Sequence, residues 1–391
     1  MIEISILYER SETDELGIRY TAEQLGIPLA FLPFHKVSVG VVDGEFTYKS
    51  QGKDFLSRLD ESQVVINRTQ GKHRRIFAST LLEEYGKNVL NPLQIELYCQ
   101  RKIWTMMQFW KNGVKVPDTV FIPCDVRETL VGGGVQDNSE VMMKLISREL
   151  GEMVVLKSDE GTHGKGIYLA EDEQKLQDAL YKIKPSVINP VGVIAQEYVN
   201  KWFYDLRIVV EKQKGSSPFC HPTAMIRGGF NDFRTNTFLG NLVFRVNLPQ
   251  RIMEESVKCG EALGKGTDSY VVALDAMPNF TESMLGATEQ IMPAFKSLEA
   301  HFENVVEAKK TRLDDFAYYT KQVENAYDKY MSSDPYCEVQ SAIMDSLEKA
   351  KYNILFHEAN ACPDFWEQTR IVGGVDIASS LLSCAQSLLD S

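Results

Sequence analysis

Residues 153–169 read MVVLKSDEGTHGKGIYL, two strand-like apolar runs on either side of a loop that contains three glycines. Lys157 ends the first run, and the second begins at Ile167. Backbone N–H groups in such a loop can bind phosphate oxygens, and the lysine can add a point charge. The spacing fits neither a Walker loop nor a dinucleotide fingerprint. The stretch therefore indicates either a phosphate-binding loop or an ordinary hairpin turn.

Upstream of this stretch, strand and helix patterns alternate. Residues 2–7 and 64–67 are strand-like runs, and a helical pattern covers 14–25 between them. Asp43-Gly44 is typical of a tight hairpin turn. The alternation predicts a small, mostly parallel, three-layer α/β domain over residues 1–95.

The rest of the chain divides into two further parts. A single helix around 95–111 opens a central part, residues 96–192, which contains the glycine-rich loop. In the C-terminal part, residues 193–391, apolar runs such as 271–274 predict an antiparallel or mixed sheet. The expected fold class is therefore α/β, with α+β character beyond the first domain.

Residues 281–351 differ from their surroundings. Phe295, Leu298 and Phe302 recur at helical spacing among many charged residues. The pattern predicts an inserted amphipathic helical hairpin, broken near 332–335. Because long apolar stripes are seldom exposed, we expect the body of the protein or a second subunit to cover this one, and we favour a homo-oligomer contact over a lid.

The composition of the 391 residues excludes several classes of protein. A net charge of -12 leaves no basic surplus for binding nucleic acid. Seven cysteines without a CxxC pair are typical of reduced thiols, not of a zinc site or a disulfide framework. The N-terminus does not look like a signal peptide, and no apolar run has the length of a membrane helix. We therefore expect a cytoplasmic protein without a membrane partner.

Two apolar runs in the C-terminal part end in residues that can bind a metal ion. Asp275 follows the run 271–274, while Glu358 and Asn360 follow 354–356. Glu358 and Asn360 are two residues apart, so they face the same way in a strand. Carboxylate and amide oxygens suit Mg²⁺, or Mn²⁺, held by nucleotide phosphates. Ordinary polar strand ends are the alternative interpretation.

Three other segments could line the same site. The segment 196–199 leaves a strand and could present backbone groups to an adenine edge. Arg207 and Arg234 stand at strand ends, where they could neutralise a phosphate in transfer.

A basic segment follows the strand 64–67 and includes Arg68, Lys72 and Arg74. Loops at the carboxyl ends of parallel strands line the ligand crevice of α/β sheets. We therefore expect these three residues to bind an anionic part of a substrate. A solvated basic turn is the alternative.

In chain order, these residues resemble the ATP-grasp superfamily, above all the branch of the ribosomal-protein glutamate ligase and the lysine-biosynthesis carrier-protein ligase. The likeness spans the chain outside 281–351. The stretches that carry it are Asn91-Pro92-Leu93, Lys102, Leu156-Lys157 with 160–166, 196–199, Asp205-Leu206-Arg207, 233–236, Leu274-Asp275 and 358–363. Arg101 and Asp364 depart from the family pattern of Asp and Gly at these places.

The resemblance implies a three-domain ATP-grasp architecture and roles for named residues. It implies Arg207 and Arg234 as catalytic residues at the reacting phosphate, and Asp275, Glu358 and Asn360 as Mg²⁺ ligands. His163 and His357 are interpreted as neighbouring residues rather than general bases. The residues implied to bind ATP are Lys102, Lys157, Gly161, Thr162, His163, Gly164, Gly166, Gln196, Glu197, Tyr198, Val199, Asp205 and Asn236.

The implied activity is that of an ATP-dependent carboxylate–amine ligase that works through an acyl phosphate. The substrates are expected to be an amino acid and a small molecule, peptide or carrier protein. Two alternatives stay open at this point. One is an ATP-grasp kinase that stops at phosphoryl transfer, and the other is a non-catalytic nucleotide-binding scaffold.

Overall fold

Four parallel strands form the first sheet of the computed structural model, which describes residues 3–123, 125–159, 166–183, 192–235, 240–281 and 288–389. The strand order is β2-β1-β6-β7. The elements of this first unit are β1 (Ile4–Tyr8), α1 (Thr13–Leu25), β2 (Leu29–Pro33), β3 (Val37–Val42), β4 (Glu45–Ser50), β5 (Lys53–Asp54), α2 (Leu56–Glu61), β6 (Val64–Arg68), α3 (Lys72–Glu84) and β7 (Asn88–Leu90).

The sequence patterns of the first unit agree with its structure. Strand β6 is buried along its whole length, as its continuous apolar run predicts for a parallel strand covered on both faces. Strands β3 and β4 form the expected hairpin, in which Asp43 (φ 55°) and Gly44 (φ 84°) take the left-handed conformations that such a turn requires.

A second unit is built on a four-stranded antiparallel sheet in the order β12-β11-β13-β8. Two helices lead into it from the first unit. These helices and the elements of the second unit are α4 (Leu93–Gln100), α5 (Lys102–Lys111), β8 (Thr119–Ile122), β9 (Arg127–Thr129), β10 (Val135–Asp137), α6 (Ser139–Leu150), β11 (Val154–Lys157), β12 (Ile167–Ala170), α7 (Glu173–Lys182) and β13 (Val193–Glu197).

The third unit contains a six-stranded antiparallel sheet, ordered β17-β16-β14-β18-β19 with β15 paired to β14. A π-helical turn, Gln368–Val372, follows its last strand. Its elements are β14 (Tyr204–Lys212), β15 (Phe219–Cys220), β16 (Thr223–Gly228), β17 (Leu242–Asn247), α8 (Gln250–Leu263), β18 (Tyr270–Pro278), α9 (Thr288–Ala308), α10 (Phe316–Met331), α11 (Asp334–Ala350), β19 (Ile354–Asn360) and α12 (Ile377–Ser387).

Two predicted boundaries need correction. Strand β13 pairs with β11 and β8, so the break between the second and third units falls after Glu197 and not at residue 193. The expected helix 95–111 is two helices, because Arg101 is extended (φ −113°, ψ 126°). Asp159 accepts hydrogen bonds from the backbone of Ile103 and, through its own carbonyl, of Lys102, and so fixes the start of α5.

The insertion consists of three helices rather than a hairpin, although the predicted break near 332–335 does separate α10 from α11. Its apolar stripe packs on the third unit. Phe295 meets Phe203 edge to face with ring centres 5.6 Å apart, and Tyr336 stacks on Phe244 at 5.4 Å. Because the chain itself covers the stripe, the reason for predicting a second subunit there is removed.

Within the residues described, the helices are all too short or too polar to span a bilayer. The cysteines that fall within those residues are free thiols, in line with the scattered pattern of the sequence.

Asn91 joins the first unit to the third. Its side-chain amide donates to the carbonyls of Val271 (2.7 Å) and Ala361 (2.6 Å), and its Oδ1 accepts from the N–H of Val271 (2.8 Å). The side chain is 2% exposed, so water cannot replace these bonds. The amide therefore fixes β18 and the end of β19 against the first sheet.

We expect Asn91→Ala to lower the free energy of unfolding by about 2–5 kcal/mol, because three buried backbone groups lose their partner. Urea denaturation followed by tryptophan fluorescence measures the change. Asn112→Ala is the matched control, since this exposed amide bonds only the Gln108 carbonyl one turn back in its own helix. Similar small losses for both variants would contradict the bridging role of Asn91.

Candidate active site

A cavity of about 550 Å³ lies where the three units meet. The first unit contributes the start of α1 and the basic segment after β6, the second contributes β11 and β13, and the third contributes its sheet. Of the residues predicted from the sequence, those that line the cavity are Arg68, Lys72, Lys102, Lys157, Gln196, Glu197, Tyr198, Val199, Asp205, Arg207, Arg234, Asp275, Glu358 and Asn360. Gly161, Thr162, His163, Gly164 and Asn236 lie outside the described residues, and Gly166 is not among those lining the cavity.

Strand register explains why distant residues meet in this cavity. Arg207 on β14 pairs with Asp275 on β18, which in turn pairs with Glu358 on β19. On the other side of β14, Asp205 pairs with Arg227 on β16. Side chains at paired positions of neighbouring strands project from the same face of a sheet. The result is a row of positively and negatively charged side chains across the floor of the cavity.

Buried ion pairs connect this row. Arg207 binds Asp275 bidentately, with Nε–Oδ1 and Nη2–Oδ2 distances of 3.0 Å. Arg227 binds Asp205 in the same way at 2.9 and 3.0 Å, and its Nη2 also lies 3.2 Å from Asp275 Oδ1. Burial raises the pKa of Asp275, but the charges of Arg207 and Arg227 outweigh it and hold the pKa well below its usual range. Asp275 is therefore a carboxylate.

Arg227 was missed by the sequence analysis. It ends the apolar run of β16, the same signal that drew attention to Asp275, but nothing in the local sequence shows that β16 lies beside β14. Lys201 was missed as well. Its ammonium donates to Thr235 Oγ1 (2.8 Å), whose hydroxyl in turn bonds Asp205, and burial lowers the pKa of Lys201 to about 8.

Glu358 is the centre of a second charge cluster. Its Oε1 lies 3.2 Å from Lys102 Nζ and 3.9 Å from Lys72 Nζ. Burial raises its pKa, yet Lys102 and Lys72 bring it down to about 2, so Glu358 is ionised at neutral pH. The same environment acts on Lys72, whose pKa is lowered to about 8 by burial and by Lys102.

The predicted metal ligands lie together at this cluster. Asn360 Nδ2 donates to Asp275 Oδ2 at 3.3 Å, and Glu358 is the strand partner of Asp275. Their donors are hard oxygens, which fit Mg²⁺. Among the residues that the structure describes, however, no three acidic, histidine or cysteine side chains close around an ion by themselves. The donor set therefore fits an ion that brings further oxygen ligands, such as nucleotide phosphates.

Lys157 lies across the cavity on β11. Its Nζ donates to Gln196 Oε1 at 2.6 Å, and Gln196 Nε2 donates in turn to Thr119 Oγ1 at 2.9 Å. Burial first, and then the charge of Lys102, lower the pKa of Lys157 to about 7. The side chain of Gln196 therefore orients Lys157, and a contact of its backbone with the nucleotide remains a prediction.

The segment after β13 is tied to the second unit. Glu197 exchanges hydrogen bonds with Asp118, through its backbone N–H and its carboxylate, both at 2.9 Å. The N–H of Tyr198 donates to the Met153 carbonyl at 3.4 Å, while its side chain stays partly exposed at the cavity. The segment has the fixed backbone that an adenine-binding hinge requires, and that role remains a prediction.

Arg234 reaches the cavity from the loop after β16. Both arms of its guanidinium bind Asp232, with Nε–Oδ1 at 2.9 Å and Nη2–Oδ2 at 2.6 Å. The ion pair is partly exposed, so Arg234 can exchange this carboxylate for a phosphate at low cost.

Two arginines of the basic segment after β6 form ion pairs with carboxylates of the first unit. Arg68 donates to Asp14 (2.9 Å), Glu15 (3.1 Å) and the carbonyl of Pro363 (3.2 Å), and Arg74 pairs with Glu9 at 2.6 Å.

Both guanidinium groups therefore bind carboxylates of the first unit in this structure. Arg74 is not among the residues that line the cavity, whereas Arg68 is, and anion binding by Arg68 remains a prediction. Arg68 connects α1 to the chain after β19. Lys72 is the member of the predicted trio whose charge is directed at Glu358 and the cavity.

The architecture and the site together define the class of protein. Across essentially the full length of both chains, the structure resembles D-cycloserine synthetase DcsG (TM-score 0.56, 12% identity, 99% of each chain). It likewise resembles D-alanyl-alanine synthetase A from Vibrio cholerae (TM-score 0.56, 11% identity, 100% of each chain). The ATP-grasp ligase PsnB also matches, with a TM-score of 0.53, 12% identity and coverage of 100% of this chain and 98% of that one. The fold is that of the ATP-grasp enzymes, which confirms the predicted fold class.

Sequence comparison narrows the class. The RimK-like ATP-grasp domain family matches residues 112–278, from the end of α5 to the end of β18. The chain is 22% identical over 262 residues to the alpha-aminoadipate–LysW ligase LysX of Sulfurisphaera tokodaii, covering 67% of this chain and 81% of that protein. N-acetylaspartylglutamate synthase A of Mus musculus is 27% identical over 63% of this chain and 59% of its own length. Residues 112–278 are thus similar to the RimK-like ATP-grasp domain, which agrees with the resemblance found in the sequence.

The lowered pKa of Lys157 predicts that ATP binding depends on pH. A polyphosphate beside Lys157 favours its charged form, so its pKa should rise from about 7 on binding ATP. At pH 8 the binding of ATP should therefore be accompanied by proton uptake at Lys157. The affinity for ATP should be highest below pH 7 and should fall as the pH rises above 7. Calorimetric titration in two buffers of different ionisation enthalpy measures the uptake.

Lys157→Arg is the matched control for this measurement, because a guanidinium stays charged throughout this pH range. Its proton uptake at pH 8 should be clearly smaller than that of the wild type. Equal uptake by both proteins would contradict the assignment to Lys157.

Proposed function

We propose that this protein is an ATP-dependent carboxylate–amine ligase that forms an amide bond through an acyl phosphate. The observation that carries the proposal is the row Arg227, Arg207, Asp275 and Glu358 across the floor of a cavity that also contains Lys102. Cations that pair with buried carboxylates in the free protein are well placed to receive phosphate oxygens in their stead. Similarity to the ligases LysX and N-acetylaspartylglutamate synthase A supports the same activity.

In this proposal, Lys102 and Lys157 hold the phosphate chain of ATP from opposite walls of the cavity. Asp275, Glu358 and the side-chain oxygen of Asn360 hold Mg²⁺. When bound, this ion offsets the charge of the phosphate oxygens. Such a site accelerates phosphoryl transfer mainly by positioning and electrostatics, so none of its side chains has to act as a nucleophile.

The reaction then has two steps. A carboxylate oxygen of the first substrate attacks the γ-phosphorus, and the bond between that phosphorus and the bridging oxygen of ADP breaks. Arg207 and Arg234 offset the charge that develops on the transferred oxygens. An amine next attacks the acyl carbon, the carbon–oxygen bond to phosphate breaks, and the amine loses a proton as the amide forms.

Lys72 is the residue we propose for the substrate carboxylate. Its ammonium lies next to Glu358, on the side of the cluster that faces the first unit. The relatives LysX and N-acetylaspartylglutamate synthase are both named for the ligation of amino acids or their derivatives. We therefore propose an amino acid as one substrate, and a small molecule, a peptide or a carrier protein as the other.

The products should be ADP and phosphate. Pairwise screening of amino acids for ADP release identifies a substrate pair, and the carboxylate substrate is then labelled with ¹⁸O. Each phosphate formed should carry one ¹⁸O, because the attacking carboxylate oxygen leaves with the phosphate. Label in AMP would contradict the acyl-phosphate route, and a stable phosphorylated product without an amine would indicate a kinase.

Glu358→Gln should lower kcat roughly 100- to 1000-fold, the usual effect of removing one preorganised electrostatic contact, and should raise the Mg²⁺ concentration needed. Steady-state rates over a range of Mg²⁺ concentrations measure both. Glu171→Gln, at an exposed carboxylate that pairs with Lys175, is the control and should behave like the wild type. Wild-type turnover of Glu358→Gln at limiting Mg²⁺ would show that Glu358 is not a ligand.

A further inference from the structure

Strand β19 contains an irregularity at the site. Asp275 on β18 pairs with Glu358, but the next residue, Ala276, pairs with Phe356, so His357 is an extra residue in β19. In a regular strand, His357 and Glu358 would point to opposite faces of the sheet. A bulge removes this alternation and can turn a side chain toward an active site. Both residues accordingly line the cavity.

The ring nitrogens of His357 make no hydrogen bond to the residues that the structure describes. Within the described part of the chain, neither Nδ1 nor Nε2 has a partner, and both atoms are shielded from solvent. A buried polar group without a partner costs free energy, which a well-packed apolar side chain would avoid. Nothing in the packing of β19 explains a histidine at this position.

The surroundings of His357 indicate what its partner is. The charged groups that act on its ring are Lys157, Asp275, Glu358 and Asp205. In the proposed function these residues surround the phosphates and the metal ion. An imidazole has at least one N–H in every protonation state, and an N–H can donate to a phosphate oxygen.

We propose that His357 is a nucleotide-binding residue whose ring N–H donates a hydrogen bond to the phosphate chain of ATP. The proposal rests on the proposed function and adds to it a contact that the bulge in β19 creates. In the free protein the ring nitrogens, unpartnered within the described residues, raise the free energy of the folded state, and a hydrogen bond to the ligand removes this penalty. Because both nitrogens are shielded from solvent in the free protein, the contact requires the ring to turn toward the cavity when the nucleotide binds.

The test uses His357→Leu, which keeps an apolar side chain of similar size and removes the hydrogen bond. Calorimetric titration with ATP and Mg²⁺, without a carboxylate or an amine, should give a Kd roughly 10- to 100-fold higher than that of the wild type, as for a lost bond to a charged group. The melting temperature without nucleotide should not fall, because no bond of the free protein is lost. His357→Gln, which retains an N–H donor, should recover part of the affinity.

His221→Leu is the matched control. His221 has a partner in the free protein, Glu211 at 3.1 Å, and it does not line the cavity. This variant should melt at a lower temperature than the wild type and bind ATP with unchanged affinity. His357→Leu should therefore lower the affinity for ATP without lowering the melting temperature. His221→Leu should lower the melting temperature without changing the affinity for ATP.

The affinity for adenosine shows whether His357 contacts the phosphates or the nucleoside part of ATP. It is measured by displacement of a fluorescent nucleotide analogue. This affinity should be the same for the wild type and His357→Leu. An equal loss for adenosine and ATP would overturn the assignment to the phosphates, and unchanged ATP affinity would overturn the whole proposal. A lower melting temperature with unchanged ATP affinity would show a structural role instead. A wild-type protein that binds no ATP would refute the proposed function itself, a result distinct from any of these.

Discussion

The structure depends on charge compensation of carboxylates that are buried at one cavity. Asp275 and Glu358 are ionised in spite of their burial, because Arg207, Arg227 and Lys102 lie within hydrogen-bond or ion-pair distance. Isolated buried charges would be strongly unfavourable, so each carboxylate requires its cation. The pairing of opposite charges between neighbouring strands and helices meets this requirement, and it leaves cations at the cavity that the proposed function assigns to a phosphate chain.

The cavity has its shape because distant parts of the chain are fixed to one another. Asn91 holds the first unit against β18 and the end of β19, and Arg68 holds α1 against Pro363. Asp14 accepts the N–H groups of Phe365 and Trp366, so the segment after β19 is held from the side of the first unit. This segment forms the wall of the cavity near Lys72, the residue proposed for the substrate carboxylate.

The insertion supports the same segment from the opposite side. Trp366 donates to Thr320 and Arg370 donates to Glu324, both acceptors on α10. Lys309 and Tyr319 of the insertion both bond to Glu367. The insertion therefore supports the segment after β19, which forms this wall of the cavity, and its apolar faces also cover the sheet of the third unit.

The sequence by itself determined the strand and helix pattern, the family and most of the residues that line the cavity. It could do so because Lys157, Asp275 and Glu358 each stand at or near the end of an apolar run, and local periodicity is enough to find such positions. Only the tertiary structure decided which charges are already paired. Arg68 and Arg74 bind carboxylates of their own unit. Arg227 lies at the floor of the cavity on β16, a strand that the sequence did not connect with the site. A bulge turns His357 toward the same cavity. Each of these outcomes depends on which strands are neighbours and on what burial costs an unpaired polar group, and neither is encoded in the spacing of residues along the chain.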